Sequence, residues 1–155
     1  MLHIFAHIDV DGMVCHAIAE MWAKDSKVAT QHYYVDYQNI SIVLRKLSKV
    51  VGPEDEVLIA DIGYSKDLID SFLGQYGELA SRVSWFDHHR WNEEAMEKVG
   101  LVVRKIIIDE KFCASEILQQ RLLPRSEIAK QLALLARAHD FSGKGSEQSD
   151  FDCAC

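Results

Sequence analysis

Continuous apolar runs alternate along this chain with stretches in which apolar residues recur at helical spacing. Met1 to Ala6, His32 to Val35, Val57 to Ala60, Val83 to Phe86 and Val102 to Ile108 read as strands. The first is unbroken rather than alternating, as expected of a strand covered on both faces. In Met13 to Ala23, Val14, Ile18 and Met21/Trp22 share one helical face, as do Ile40, Val43, Leu44 and Leu47 in a segment from about Ile40 to Val50. Ser65 is placed to cap a helix carrying Leu68, Ile69 and Phe72. A short helix over Glu93 to Val99 comes next, and Pro124 separates two more, Phe112 to Leu123 and Ser126 to Ala138.

Strands alternating with helices predict right-handed βαβ units and an α/β fold with a mostly parallel sheet of about five strands. In such a sheet all strands end on the same edge, where ligands bind. The residue that ends each apolar run therefore matters more than the run itself. Leu2 to Ala6 leads into His7-Ile8-Asp9-Val10-Asp11-Gly12, Val57 to Ala60 into Asp61, and Val83 to Phe86 into Asp87-His88-His89-Arg90. One edge collects all of these side chains.

Extended backbone through His7, Asp9 and Asp11 would point three ligand-type groups one way and Ile8 and Val10 the other, with Gly12 turning the chain steeply afterwards. A further carboxylate, Asp140, closes the helical pattern of Leu134 to Phe141. Each motif alone is open to two readings, a capped turn with solvated polar residues or a ligand group. Several carboxylates gathered within a few ångströms cannot all stay ionised unless something positive sits among them. Carboxylate oxygen with a minority of imidazole suits Mn²⁺ and tolerates Mg²⁺, Co²⁺ or Fe²⁺, and thiolates of the structural-zinc kind are lacking.

The ordered set His7-x-Asp9-x-Asp11-Gly12, Asp61, Asp87-His88-His89 and Asp140 resembles the four motifs of the DHH phosphoesterase superfamily, which includes RecJ-type exonucleases, nano-RNases and small-nucleotide phosphatases. The resemblance implies strand order 2-1-3-4-5 and two divalent cations, Mn²⁺ first. It implies that His7, Asp9 and Asp61 hold one ion and that Asp11, Asp61, His88 and Asp140 hold the other, Asp61 bridging. It implies Asp87 as a carboxylate orienting an imidazole. His89 and Arg90 would contact the substrate phosphate. Cys113-Ala114-Ser115-Glu116 resembles the family's helix start after the fifth strand, with a structural role. The implied activity is hydrolysis of phosphodiesters in short oligonucleotides or small nucleotides. The alternatives are a non-catalytic or partner-dependent nucleotide-binding module and a pyrophosphatase-like phosphohydrolase.

The expected domain spans residues 1–141, with 142–155 a flexible tail ending in Asp150-Phe151-Asp152-Cys153-Ala154-Cys155. The resemblance implies a second, substrate-gripping domain after the fourth motif, whose motif this sequence does not show. Three readings follow: a fragment of a longer protein, a homodimer or another partner that closes the cleft, or a stand-alone domain acting on very small substrates. Composition narrows the partners. Of 155 residues 48% are hydrophobic and 26% charged, as in a globular domain. The net charge of −7 leaves no basic surplus for a long nucleic-acid track, and small phosphorylated substrates or short single-stranded oligonucleotides fit better. No apolar run approaches the roughly 20 residues of a membrane span, and no basic region precedes the first apolar run, so a cytoplasmic protein is expected. Four cysteines without a disulfide pattern fit that compartment. His3, His16 and His32 are expected to be packed or surface imidazoles, His139 exposed, and Asp36 and Asp109 turn or cap carboxylates.

Overall fold

A computed structural model describes residues 1–39, 49–65 and 77–142. Five parallel strands, β1 (Leu2–His7), β2 (Thr30–Val35), β3 (Glu56–Ala60), β4 (Val83–Asp87) and β5 (Lys105–Ile108), form one sheet in the order β2-β1-β3-β4-β5. The described helices are α1 (Val10–Asp25), α2 (Gly77–Ala80), α3 (Glu93–Gly100), α4 (Ala114–Leu122) and α5 (Glu127–Ser142). The expected α/β fold and strand order are observed. The helical segment expected from Ile40 lies outside the described residues except for Lys49 and Val50, which are helical. The helix expected after Ser65 and the tail beyond Ser142 also lie outside them.

Strand side chains alternate between two cores. Leu2, Ile4, Ala6, Leu58, Ala60 and Phe86 pack against α1, α4 and α5 through Cys15, Ile18, Ala114, Leu118 and Ala133. Phe5, Val57, Ile59, Val83 and Trp85 face Leu79, Trp91, Ala95 and Val99 on the other side. Trp85 is fully buried, donates its indole N–H to the Ile62 carbonyl at 3.0 Å, and meets Trp91 edge-on at 5.1 Å. Truncating such a side chain to alanine typically costs about 3–5 kcal/mol.

Three expectations need correction. The chain is extended only as far as His7; Asp9 is the N-cap of α1, its carboxylate accepting from the Gly12 amide at 2.9 Å, and Asp11 lies in the first helical turn. The cap hydrogen bond satisfies an amide that a helix start leaves without a partner, so the helix begins at Val10 rather than Met13. Gly12 makes no steep turn. It is glycine because α1 leaves β1 so closely that a Cβ there would sit 2.1 Å from the His7 carbonyl oxygen. Finally, β5 starts at Lys105, because the amides of Val102 and Val103 both turn back to the Val99 carbonyl to close α3.

Candidate metal centre

The register sets the site. Ala6, Ala60 and Phe86 stand in one row across β1, β3 and β4, so the next residues, His7, Asp61 and Asp87, emerge side by side. At Asp61 the backbone swings to φ 55°, a left-handed conformation that costs a non-glycine residue about 1–3 kcal/mol and that clusters at functional sites. Its amide still pairs with the Phe86 carbonyl at 3.0 Å, so the kink begins only after the strand bond is made.

Two groups of ligand-type atoms share Asp61. His7, Asp9 and Asp61 offer atoms within 4.8 Å of one another, and so do Asp61, His88 and His89. His7 Nδ1 lies 2.8 Å from Asp9 Oδ2, and His88 Nε2 lies 3.2 Å from Asp61 Oδ1. Asp61 Oδ2 is buried without a hydrogen-bond partner among the described residues. Burial first, and then the Asp11 and Asp9 carboxylates, push the Asp61 carboxyl up to about 10. Asp9 is shifted the other way. Partial burial opposes its charge, but hydrogen bonds with Gly12, Asp61 and His7 hold it below the usual carboxylate range.

Asp11 and Asp140 flank His88. Asp11 Oδ2 is 3.9 Å from His88 Nε2 and Asp140 Oδ2 is 3.7 Å from His88 Nδ1, the latter brought in by the last turn of α5. The two oxygens of the buried Asp11 also accept from the start of α4: the Ala114 amide at 2.7 Å, the Ser115 amide at 3.1 Å and the Ser115 hydroxyl at 2.5 Å. Ser115 thus fixes an aspartate at the opposite end of the sequence. The Cys113 amide donates to Glu116 at 3.0 Å in the same helix start, and Glu116 in turn pairs with Arg137 at 2.6 Å.

Asp87 orients His89 rather than His88. It has no exposed surface, and its oxygens take His89 Nδ1 at 2.7 Å and Trp91 Nε1 at 2.7 Å. Burial works against its charge, yet these bonds keep the carboxyl below its ordinary value. For His89, burial likewise opposes protonation, but the bond to Asp87 and the charge of Asp87 raise the imidazole above its ordinary value. Arg90 is exposed next to it.

Tyr37 and Trp91 are neighbours that sequence reasoning did not single out. The Tyr37 ring lies 5.2 Å from His7 and is 58% exposed; partial shielding of its hydroxyl from water, with Asp87, Asp61 and Asp9 near it, pushes that hydroxyl up to about 12, so it is a neutral donor at neutral pH. Neither stands in a motif whose spacing could reveal it. The remaining histidines pack as expected. His3 bridges Tyr33 at 3.0 Å and Asp55 at 3.2 Å, His16 meets His32, and His139 is exposed. Asp36 and Asp109 accept from amides two or three residues ahead, as turn carboxylates do. Cys15 and Cys113 are buried free thiols.

No family model matches the sequence, and no curated protein matches it. Solved structures do. An uncharacterized protein from Helicobacter pylori G27 is 17% identical with a TM-score of 0.66, over 94% of this chain and 44% of that one. CDC45 from Entamoeba histolytica is 16% identical with a TM-score of 0.67, over 92% and 30%. The exonuclease RecJ bound to manganese is 16% identical with a TM-score of 0.57, over 90% and 38%. At these identities the likeness is one of fold. The chain spans less than half the length of each neighbour. Among the described residues no helix is long and apolar enough to cross a membrane.

Proposed function

We propose that this chain is a metal-dependent phosphoesterase of the DHH type, cleaving phosphodiesters of short oligonucleotides or small nucleotides with the help of two divalent cations, Mn²⁺ first. The observation that carries this is Asp61, a buried carboxylate in strained backbone, shared by two ligand groups and holding one oxygen without a partner among the described residues. A carboxylate so placed gains its charge only beside a cation. The donor set fits Mn²⁺: carboxylate oxygen and imidazole nitrogen, with no thiolate among the described ligand groups. The manganese in the RecJ neighbour agrees with this reading.

His7, Asp9 and Asp61 would hold one cation, and Asp61, His88, Asp11 and Asp140 the other. Bound there, two cations lower the pKa of water and neutralise charge building on the phosphoryl group. The protein's own part is positional. The α1 cap aims Asp9, α4 clamps Asp11, and Asp87 holds His89 by Nδ1, leaving its other nitrogen to meet the phosphate. Because His89 is raised toward its charged form, it is suited to donate a hydrogen bond to an anionic oxygen. Arg90, exposed next to His89, and Tyr37, whose ring lies beside His7, would be additional donors.

The test is metal content of the purified chain, with hydrolysis of a short RNA dinucleotide and of bis(p-nitrophenyl) phosphate with and without Mn²⁺. About two bound equivalents and manganese-dependent turnover are expected of a two-metal site. Turnover unchanged by Asp61→Asn and by His88→Ala would overturn the reading.

A further inference from the structure

One strand over from Asp87, the same sheet edge carries a cavity of about 590 Å³, in the size range of small-molecule sites. Its walls come from the end of β5, the loop after it, and the start of α3. Register joins it to the site: the Asp109 amide donates to the Asp87 carbonyl at 3.1 Å, so the cavity begins where β4 ends. Trp91 belongs to both. It lines the cavity, and its indole N–H holds the carboxylate that holds His89.

The lining is of two kinds. Met96, Ile108 and the small exposed part of the otherwise buried Trp91 give the cavity its apolar lining, and Met96 remains 37% exposed there rather than covered by the chain. Glu93, Asp109 and Glu110 form the rim against Lys111 alone. Three carboxylates against one ammonium repel a phosphate. They accept hydrogen bonds, and carboxylates read an exocyclic amino group of a base in just this way. An aromatic ring and a thioether suit the faces of a flat heterocycle.

The geometry points to this cavity as a base-binding subsite beside the phosphate site, one that takes a nucleobase carrying an exocyclic amino group (adenine, cytosine or guanine) and disfavours uracil. This rests on the phosphoesterase reading, because that reading puts a nucleotide phosphate at His89. Uracil alone lacks an exocyclic amino group: its O4 stands where adenine and cytosine present N–H donors and its O2 has no counterpart to the 2-amino group of guanine, so the acidic rim leaves acceptors face to face. A base seated on Met96 and Ile108 also touches the exposed part of Trp91, the residue that anchors Asp87, which ties base recognition to the position of His89.

The experiment compares kcat/KM for the dinucleotides ApA, CpC and UpU, and for bis(p-nitrophenyl) phosphate, which has no base. ApA and CpC are expected to exceed UpU by roughly tenfold, the scale on which a site built for hydrogen bonds starts to reject a mismatched group. The double variant Glu93→Gln, Glu110→Gln should narrow that preference, and Met96→Asp should raise KM for ApA more than for bis(p-nitrophenyl) phosphate. Equal kcat/KM for ApA and UpU, or a preference untouched by the double variant, overturns the subsite. Should no phosphodiester be cleaved, or should the variants fail to fold, titration of the unaltered chain with adenosine and with uridine decides, read on the Trp91 indole N–H resonance. A shift with adenosine and not with uridine supports the cavity even where the phosphoesterase reading has failed. No shift, or the same shift with both, overturns it.

Discussion

His89 Nδ1 lies 2.7 Å from Oδ1 of Asp87, a carboxylate with no exposed surface whose other oxygen is taken by Trp91. The imidazole is therefore held from behind, and its orientation and its charge share one cause.

Asp87→Asn separates that cause from the metal groups, because Asp87 belongs to neither of them. An amide oxygen still accepts from Nδ1 but brings no charge. His89 should lose its upward shift, read as a lower midpoint in an NMR pH titration, and kcat should fall roughly 10–100-fold, the usual cost of losing an orienting carboxylate. Manganese content should stay as in the unaltered chain. An unmoved His89 midpoint would show that the imidazole is charged by something else.

Asp61→Asn makes a prediction whose sign changes with metal. In the metal-free chain the Asp61 carboxyl sits at about 10, above the ordinary value of 3.8. A group raised on folding favours the folded state below its unfolded pKa, and that contribution is lost as pH rises toward the folded pKa. Asparagine removes the penalty and tolerates the left-handed backbone at this position better than most residues. With chelator present, the variant should exceed the unaltered chain at pH 8 by roughly 1–3 kcal/mol, the desolvation scale of one buried polar group, and the gap should close toward pH 4. Added Mn²⁺ should raise the Tm of the unaltered chain and leave the variant where it was. A variant less stable than the parent at pH 8 in chelator would contradict a suppressed charge at Asp61.

How far the sequence shows this site depends on what each residue leans on. β1, β3 and β4 are legible because strands covered on both faces must be apolar throughout, so the polar residue ending each run stands out, and parallel pairing puts those ends in one row. The start of α1 is not legible in the same way. Ile8 and Val10 are exposed apolar residues on either side of the Asp9 cap, and they imitate the alternation of a strand. Val102 misleads similarly: it is apolar and partly exposed, and it closes α3 rather than opening β5. The grip of Ser115 on Asp11 joins segments far apart in the chain, and no local pattern announces such a contact. Trp91 reads as one more core aromatic until its indole N–H is seen on Asp87.

A second pH effect lies away from the metal groups. His16 Nδ1 and His32 Nδ1 are 2.9 Å apart, and His32 Nε2 is 3.0 Å from Glu20. Burial first, and then the neighbouring His32, lower the His16 imidazole to about 4. A depressed group contributes stability above its unfolded value, 6.5, and that contribution is lost as pH falls through the folded value. The stability difference between the unaltered chain and His16→Leu should therefore shift against the unaltered chain between about pH 6.5 and about pH 4, as followed by urea unfolding. A difference that is flat across that window would mean that His16 takes up its proton in the folded chain as readily as in the unfolded one.

Two glycines make opposite predictions, because what each would strike differs. At Gly12 a Cβ meets the His7 carbonyl oxygen at 2.1 Å, and backbone on both sides cannot yield without parting α1 from β1. Gly12→Ala should cost about 1–3 kcal/mol or more in stability, as overpacking does, and should weaken manganese binding by shifting Asp9 and Asp11 away from His7. At Gly63 a Cβ would instead lie 3.0 Å from Cγ of His89, a side chain 40% exposed and able to turn outward. No described glycine has a positive φ, so alanine fits the backbone there. Turning outward, however, breaks the bond to Asp87. Gly63→Ala should keep its Tm and its manganese content while kcat falls roughly tenfold or more, since misplacing a catalytic group by about 1 Å is enough to cost that much. A Gly63→Ala chain with full kcat would show that His89 need not sit on Asp87 for turnover, and the phosphate contact would then have to be sought at Arg90 or Tyr37.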